Sequence, residues 1–420
     1  MSLVYSAFVP HPPIVVPEIG RGQEELCGST LRAYQELAAR VAGAEPETVV
    51  LVSPHAALLE EGVTVLKNEE VQGSFANFGV PGVHLAFPND LSLVERLSRE
   101  LPRVRPRLGE LDHGALVPLY FLERAGWQGK VVLLSMPMAG PERYGEVLGH
   151  LLRDWPTKVA LVASGDLSHR LREDGPYGFN PAGPRFDEVI AAGLKGNPAQ
   201  IVQIPREIVE AAGECGYRSL RLALAAQEGA RIVLSYEGPF GVGYLVAELY
   251  RPSSLARWAR RCLTEYLGGG DPNALLQPQE PEFQRHRGCF VTLKKDGDLR
   301  GCIGTTQGYQ ANLALEIAHN AVAAGTEDPR FRPVEPEELP DIRFSVDVLG
   351  DLEKVTNLAE LDPWRYGVVV SQRGRRGLLL PHLEGVDTVE QQLSIAKQKA
   401  GLSPETTVDM WRFEVVRHYE

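Results

Sequence analysis

Short apolar runs alternate with longer stretches of helical spacing over the first ~250 residues, and this alternation limits the fold more than any other sequence feature. The runs rich in Val, Leu and Ile are Leu3–Val9, Thr48–Ser53, Lys130–Met136, Lys158–Ser164 and Arg231–Tyr236. The stretches with helical spacing are Glu24–Ala42, Leu91–Leu101, Glu142–Leu152 and Asp187–Leu194. Nearly continuous apolar strands that alternate with helices indicate a sheet with both faces covered. The sequence therefore predicts an α/β domain with a largely parallel or mixed central sheet covered by helices.

The pattern changes after Arg251-Pro252, so we expect two domains, 1–252 and 253–420. A chain of 420 residues is also too long for one ordinary core. The second domain reads as a hairpin with its turn at 294–298, a helix from Leu313, and an alternating strand over 342–348. A capping box at Asp387 and Glu390 then predicts a helix to about Ala400. Hairpin, helix, strand and helix in this order indicate a smaller α+β domain.

Composition and charge exclude several classes of partner. The formal net charge of -12 disfavours binding to nucleic acid or to anionic lipid, which both require clustered Lys and Arg. No apolar run approaches the ~18 residues that would span a bilayer, and the first residues lack the basic segment of a signal peptide. The 5 cysteines are widely spaced and lack a CxxC pair, which is typical of reduced thiols. We therefore expect a cytoplasmic protein without nucleic-acid or membrane partners.

Four histidines lie at or just beyond strand ends. His11 follows the first apolar run, His55 closes the second, and His113 and His169 lie in loop-like segments further on. Prolines beside His11 and His55 stiffen the backbone there, which helps to hold a ligand side chain in place. A single histidine is more often a surface or core residue than a ligand. Four of them at the junctions of one α/β unit favour a common site, because functional residues of such sheets lie beyond the carboxyl ends of the strands.

Histidines in this arrangement suit metal-assisted chemistry. Two neutral imidazoles and one carboxylate can hold Fe(II) and leave coordination positions open, as in non-haem oxygenases. A further histidine can move protons near neutral pH. Zn(II) hydrolysis would use a similar set of donors, so the residue types alone leave Fe(II) and Zn(II) both open.

Four motifs add a resemblance to a known family. They are Phe8–Pro13, Ser53–His55, Asp112–Leu119 and Ser164–His169. In this order they resemble the class III extradiol ring-cleavage dioxygenases, a group typified by the catalytic subunit of protocatechuate 4,5-dioxygenase that includes the Memo proteins. The resemblance implies that His11 and His55 are iron ligands. It also implies that His169 is an acid/base near bound oxygen, and that His113 is a proton donor or hydrogen-bond partner on the substrate side.

The same resemblance implies a third ligand late in the domain. The family places a Glu shortly before a helix, which matches Glu214; Cys215 and Glu237 remain alternatives, and Glu214 could instead be an acid at a helix start. Four further residues are expected to line the pocket: Asp166, Tyr177, Asn180 and Asp187. Asn180-Pro181 is also a turn signal.

The C-terminal part resembles the AMMECR family. The motifs that carry the resemblance are Phe290–Leu293, Leu299–Gly304, Glu327–Phe331, Gly377–Pro381 and Val389–Leu393. Arg300 and Cys302 form a candidate site, in which the nearby charge would lower the pKa of the thiol; the alternative is a buried, unreactive cysteine. Glu316 and His319 lie three residues apart on the predicted helix and would face this hairpin, or form a local polar pair.

Three functions are compatible with these features. The first is an Fe(II) enzyme that acts on a catechol-like or other small substrate. The second is a Memo-like binding or adaptor protein without dioxygenase activity, and the third is a Zn(II)-dependent hydrolase. Fusion of the two domains resembles the AmmeMemoRadiSam system, which implies a radical S-adenosylmethionine protein as a partner. We also expect a homodimer.

Overall fold

A computed structural model describes residues 2–229, 231–295, 297–381, 383 and 385–420. The chain forms two compact units, Met1–Arg251 and Pro252–Glu420. Among the described residues, no helix combines the length and the apolar character that crossing a bilayer requires.

The first unit is built on a mixed sheet of eight strands within the described residues. Its strands, with a separate hairpin of β4 and β5, are β1 (Leu3–Val9), β2 (Thr48–Ser53), β3 (Val63–Leu66), β4 (Glu70–Phe75), β5 (Val80–Pro88), β6 (Val104–Arg107), β7 (Lys130–Ser135), β8 (Val159–Ser164), β9 (Ile232–Glu237) and β10 (Tyr244–Tyr250). The order is β6-β3-β7-β2-β8-β1-β10-β9. Neighbours β7, β2, β8 and β1 are parallel, whereas β10 and β9 are antiparallel.

Helices cover this sheet. They are α1 (Pro17–Gly20), α2 (Gly28–Gly43), α3 (Leu91–Glu100), α4 (His113–Arg124), α5 (Pro141–Arg153), α6 (Ala182–Lys195), α7 (Ala199–Val202), α8 (Arg206–Ala212) and α9 (Tyr217–Ala226). Strands β2 and β8 are buried along their whole length, as expected of apolar strands between two layers. The prediction of an α/β domain is confirmed. The parallel order also places the carboxyl ends of β2, β8 and β1 side by side, where the functional site is expected.

The second unit is a smaller α+β unit, as predicted. Its strands are β11 (Cys289–Lys295), β12 (Asp298–Gly304), β13 (Ile342–Leu349), β14 (Glu353–Val355), β15 (Tyr366–Gln372), β16 (Arg375–Leu379) and β17 (Asp409–Tyr419), and its helices are α10 (Ser254–Leu267), α11 (Leu313–Thr326) and α12 (Val389–Lys399). The described strands pair antiparallel in the order β12-β11-β13-β17-β15-β16, with β14 beside β17.

Two layers of helices bury the faces of this second sheet. Helices α10 and α11 share a core with β11 and β13, while α12 packs on β15 and β16. The predicted hairpin pairs β11 with β12, although Asp296 of its turn lies outside the described residues. The capping box of α12 was predicted one residue too early. Thr388 accepts from the Gln391 amide, and the Gln391 side chain bonds back to the Thr388 amide.

Candidate functional site

Three histidines converge beyond the carboxyl ends of β1 and β2. His11 Nε2 lies 2.9 Å from His55 Nε2, and the ring centroids of His55 and His113 are 4.1 Å apart. Each of the three offers a nitrogen within 4.8 Å of the other two, which is close enough to share one metal ion. His11 is buried, His113 is half-buried and His55 is exposed, so the cluster opens to solvent at His55.

The strand ends fix these rings in place. His11 Nδ1 lies 2.9 Å from Ser164 Oγ at the end of β8, which leaves Nε2 facing His55. Asp112 caps α4 by accepting from the Ala115 amide, and it also accepts from Ser53 Oγ at the end of β2. The cap therefore ties the start of α4, where His113 lies, to the strand that leads to His55.

A thiol and a carboxylate adjoin the same histidine. His11, Asp166 and Cys215 form a second group of potential ligands, with Cys215 Sγ 3.7 Å from His11 Nε2. Asp166 Oδ1 accepts from the His11 amide at 2.9 Å. The segment before α9 can approach β8 this closely because Gly165 meets Gly216; a Cβ on Gly165 would lie 2.0 Å from Gly216 Cα.

His169 has a ring nitrogen, Nε2, that is buried without a hydrogen-bond partner among the described residues. Tyr177 stacks on the ring, with centroids 5.1 Å apart, and lies largely in solvent. His169 is within electrostatic range of His55 and His11.

Burial keeps the imidazoles of this site neutral. Loss of solvation, followed by repulsion from His55, lowers the pKa of both His113 and His169 to about 4. Burial also lowers the pKa of His11 and of His55. The same loss of solvation raises the pKa of Asp166 to about 7. Neutral imidazole is the form that ligates a metal ion, so the nitrogen lone pairs are available at pH 7.

The sequence left three alternatives for the third ligand: Glu214, Cys215 and Glu237. Of these three described residues, only Cys215 lies beside His11. The Glu214 carboxylate accepts from the Tyr217 amide at 2.6 Å at the start of α9 and is absent from both ligand groups. Glu237 accepts from the amide and hydroxyl of Thr30, both at 2.7 Å. The contact of Glu214 with the Tyr217 amide is the one that the helix-start alternative predicts.

Two of the residues predicted to line the pocket have other partners. Asn180 Oδ1 accepts from the Ala182 amide as α6 begins, so this residue forms the turn. Asp187 is fully buried and accepts from the Ser168 amide and the Tyr236 hydroxyl. Tyr177 stacks on His169, and Asp166 contacts His11.

The sequence analysis missed two features of the site. Phe78, from the β4–β5 hairpin, packs edge-on against His113, with ring centroids 5.6 Å apart. A cavity of about 260 Å³ adjoins His55 and is bounded by Asp112, Thr64 and Leu133. No local pattern marks Phe78, because it lies in the turn between β4 and β5 and reaches His113 only through the packing of this hairpin.

The candidate residues of the second unit separate in the structure. Arg300 is turned toward Glu338, and it also donates to the carbonyls of Arg332 and Pro333. Cys302 Sγ instead accepts from the Thr292 hydroxyl at 3.2 Å. Burial raises the pKa of this thiol, which contradicts the expected activation by a nearby charge.

Glu316 and His319 do not act together. Glu316 is fully buried and holds the loop after β12 by accepting from the Thr305 hydroxyl and from the amides of Tyr309 and Gln310. His319 is exposed on α11. Although the two residues are only three positions apart on α11, the Glu316 side chain lies in the core and the His319 side chain lies in solvent.

Two families match the chain. The family described as the catalytic LigB subunit of aromatic ring-opening dioxygenase matches residues 5–247. The AMMECR1 family matches residues 256–418.

Similar proteins cover either the whole chain or a part of it. A protein of Clostridium acetobutylicum is 38% identical over 100% of both chains. A protein of Thermotoga maritima is 52% identical over 39% of this chain and 95% of its own length. An uncharacterized protein of Pyrococcus horikoshii with a crystal structure is 30% identical, with a TM-score of 0.36, over 39% of this chain and 88% of its own.

Proposed function

Because the chain belongs to the family of the catalytic LigB subunit of aromatic ring-opening dioxygenase over residues 5–247 and to the AMMECR1 family over residues 256–418, we propose that its first unit is a metal-dependent dioxygenase. Its substrate is a catechol-like molecule. The observation that carries the proposal is the convergence of His11, His55 and His113 at one edge of the sheet, with Cys215 Sγ 3.7 Å from His11 Nε2 in a second group of potential ligands.

The donors of this site fit a divalent metal ion. His11 Nε2 and His55 Nε2 face each other at 2.9 Å, although neither imidazole is charged, and a metal ion between them would use both lone pairs. The buried Nε2 of His169 also lacks a partner among the described residues, as expected of an atom that faces a bound group. We assign His11, His55 and Cys215 as the ligands, with Fe(II) as the metal.

Choosing Cys215 instead of Glu214 follows from the contacts of each side chain. The Glu214 carboxylate is engaged with the Tyr217 amide, and moving it would leave the start of α9 uncapped. Cys215 Sγ also accepts from a backbone amide, that of Asp166 at 3.2 Å, but it already lies 3.7 Å from His11 Nε2. Burial raises the pKa of the thiol, and metal binding would release its proton.

The remaining residues of the site handle protons and position the substrate. When bound, Fe(II) supplies open coordination positions for a diol and for dioxygen. His169 Nε2 is neutral at pH 7 and accepts a proton from a substrate hydroxyl. His113 lies on the other side of the cluster, where Phe78 fixes its ring and its imidazole hydrogen-bonds the substrate.

A zinc-dependent hydrolase is the second candidate function, and the thiol of Cys215 is the observation that favours it. Zinc binds mixed thiolate and imidazole sets readily, whereas non-haem Fe(II) oxygenases commonly use a carboxylate. In this case the same His169 nitrogen would act as the base toward water.

Metal content of the full chain, purified without oxygen, tests the assignment. Mass spectrometry should find near-stoichiometric iron in the wild type and none in the His11→Ala/His55→Ala double variant. Cys215→Ser should lose most of the metal. Glu214→Gln is the matched control, because it alters the neighbouring residue, and it should retain the metal.

Each alternative has its own outcome. If the wild type contains zinc and the double variant does not, the result would favour the zinc-dependent hydrolase over the dioxygenase. Loss of the metal in Glu214→Gln but not in Cys215→Ser would overturn the ligand assignment. Absence of metal from the wild type would contradict both enzymes and favour the adaptor function.

A further inference from the structure

The end of β8 holds His11 by both its backbone and its ring. The His11 amide donates to Asp166 Oδ1 at 2.9 Å, and His11 Nδ1 lies 2.9 Å from Ser164 Oγ. The pairing of β1 with β8 explains this arrangement, because it places Val9 opposite Ser164 and brings His11 just beyond that pair. Ser164 is fully buried, and His11 is only 1% exposed. The protein alone therefore confines the imidazole to one orientation.

The hydrogen bond between His11 and Ser164 is compatible with two tautomers of the neutral ring. A serine hydroxyl can donate or accept, so the imidazole proton can lie on Nδ1 or on Nε2. Only the tautomer with the proton on Nδ1 has a lone pair on Nε2, the nitrogen that faces His55 Nε2 at 2.9 Å. Histidines that bind a metal ion generally donate their other ring N–H to an oxygen atom, which fixes the tautomer. Ser164 Oγ is the oxygen in contact with His11 Nδ1.

The exposure of the two rings decides which of them supplies the proton between the two Nε2 atoms. His11 is enclosed, whereas His55 is exposed to solvent. His55 can therefore donate from Nε2, release that proton to solvent when a cation binds, and take up another on Nδ1, so that its ring stays neutral. This exchange requires no proton to leave the enclosed Nε2 of His11, provided that the His11 proton already lies on Nδ1.

We propose that Ser164 is a positioning residue of the metal site, which accepts a hydrogen bond from His11 Nδ1 and thereby keeps the Nε2 lone pair free for the ion. The inference rests on the proposed function, because that lone pair has a purpose only if a metal binds there. Without the hydroxyl, the proton shifts toward Nε2, where it hydrogen-bonds His55 and blocks the lone pair. Ser164 acts through His11 and contacts neither the metal nor the substrate.

Nitrogen NMR of the metal-free full chain, labelled at histidine, tests the tautomer directly. The test variant is Ser164→Ala. Its matched control is Ser6→Ala, which removes another fully buried serine hydroxyl, one that has no hydrogen-bond partner among the described residues. His11 should carry its proton on Nδ1 in the wild type and the control, and largely on Nε2 in the test variant. A proton on His11 Nε2 in the wild type, or the same tautomer in the wild type and Ser164→Ala, would overturn the proposal.

The affinity of the same proteins for Zn(II), measured against a chromogenic chelator, connects the tautomer to metal binding. The dissociation constant should rise about 10- to 100-fold in Ser164→Ala, as is typical when a metal-binding histidine loses its outer partner, and stay unchanged in Ser6→Ala. Equal affinity of the wild type and Ser164→Ala would overturn the positioning role alone. A wild type that binds no Zn(II) would overturn the proposed metal site and this role with it, even where the tautomer depends on Ser164. Melting temperatures of both variants separate lost affinity from lost folding.

Discussion

His169 differs from the other three histidines of the site because it belongs to neither group of potential ligands among the described residues. Its Nε2 is buried without a partner among them. We predict that His169→Ala retains the metal content of the wild type. Dioxygen uptake with a panel of catechols should fall by about 100-fold or more, as expected for loss of a general base.

Parallel measurements of metal content and dioxygen uptake check this prediction. Loss of the metal in His169→Ala would make the residue a ligand and end its assignment as a base. His150→Ala, on α5, is a suitable control, since we expect it to change neither quantity.

Asp187 provides a pH-dependent prediction. Burial raises its pKa to about 7, and the hydrogen bonds from the Ser168 amide and the Tyr236 hydroxyl only partly offset this. Between about pH 4 and 7, Asp187 is therefore protonated in the folded protein and ionised in the unfolded chain. Because the folded state binds the extra proton, the free energy of unfolding falls as pH rises through this window. Asp187→Asn cannot titrate, and its free energy of unfolding should fall less steeply.

Urea unfolding of both proteins at several pH values between 4 and 7 measures the two slopes. Identical slopes would show that the Asp187 carboxylate titrates in the folded protein as it does in the unfolded one. The difference between the two proteins cancels the contribution of other titrating groups.

The positions of His11 and His55 were predictable from the sequence, whereas the contacts of the candidates for a third ligand were not. Strand patterns place His11 and His55 just past β1 and β2, and parallel strands bring such positions together. The resemblance that the flanking motifs suggested is confirmed by the family match to residues 5–247. The choice between Glu214 and Cys215 depends on how closely α9 approaches β8, which depends on a contact between two glycines 51 positions apart.

At the scale of elements, this contact between β8 and α9 should be essential to the site. A Cβ on Gly165 would meet the Gly216 backbone at 2.0 Å, and backbone atoms cannot rotate away as a flexible side chain can. We predict that Gly165→Ala costs about 1–3 kcal/mol of unfolding free energy. It should also reduce metal content, because the displaced segment carries Cys215 away from His11.

Gly43→Ala at the end of α2 is the control for this substitution. No atom lies within 4 Å of an added Cβ there, and alanine favours a helix. Denaturant unfolding and metal analysis of both variants measure the two effects. Full stability and full metal content in Gly165→Ala would contradict the close contact.

The elements themselves were easier to predict than their ends. Alternation over 342–348 predicted β13, and periodicity from Leu313 predicted α11. The cap of α12 was predicted one residue too early because Asp387 and Thr388 are both good capping residues. Each is also followed, three residues later, by a Glu or Gln that could complete a capping box. Only the backbone geometry decides between them, and it selects Thr388 with Gln391.

For the whole molecule, the order of predicted helices and strands changes near residue 252. The structure likewise has two units with separate cores. The family matches likewise end at residue 247 and begin again at residue 256. The radical S-adenosylmethionine partner and the homodimer stay predictions from the resemblance. Independence of the two units is a property that experiment can address directly.

We predict that each unit folds when it is produced alone. A domain with its own core can fold by itself, and each unit has a core of its own. Fragments 1–251 and 252–420 should therefore each unfold cooperatively in scanning calorimetry. All of the bound metal should stay with fragment 1–251, because the proposed ligands His11, His55 and Cys215 belong to it. Metal in fragment 252–420, or a fragment 1–251 that folds but binds no metal, would contradict the assignment of the metal site to the first unit.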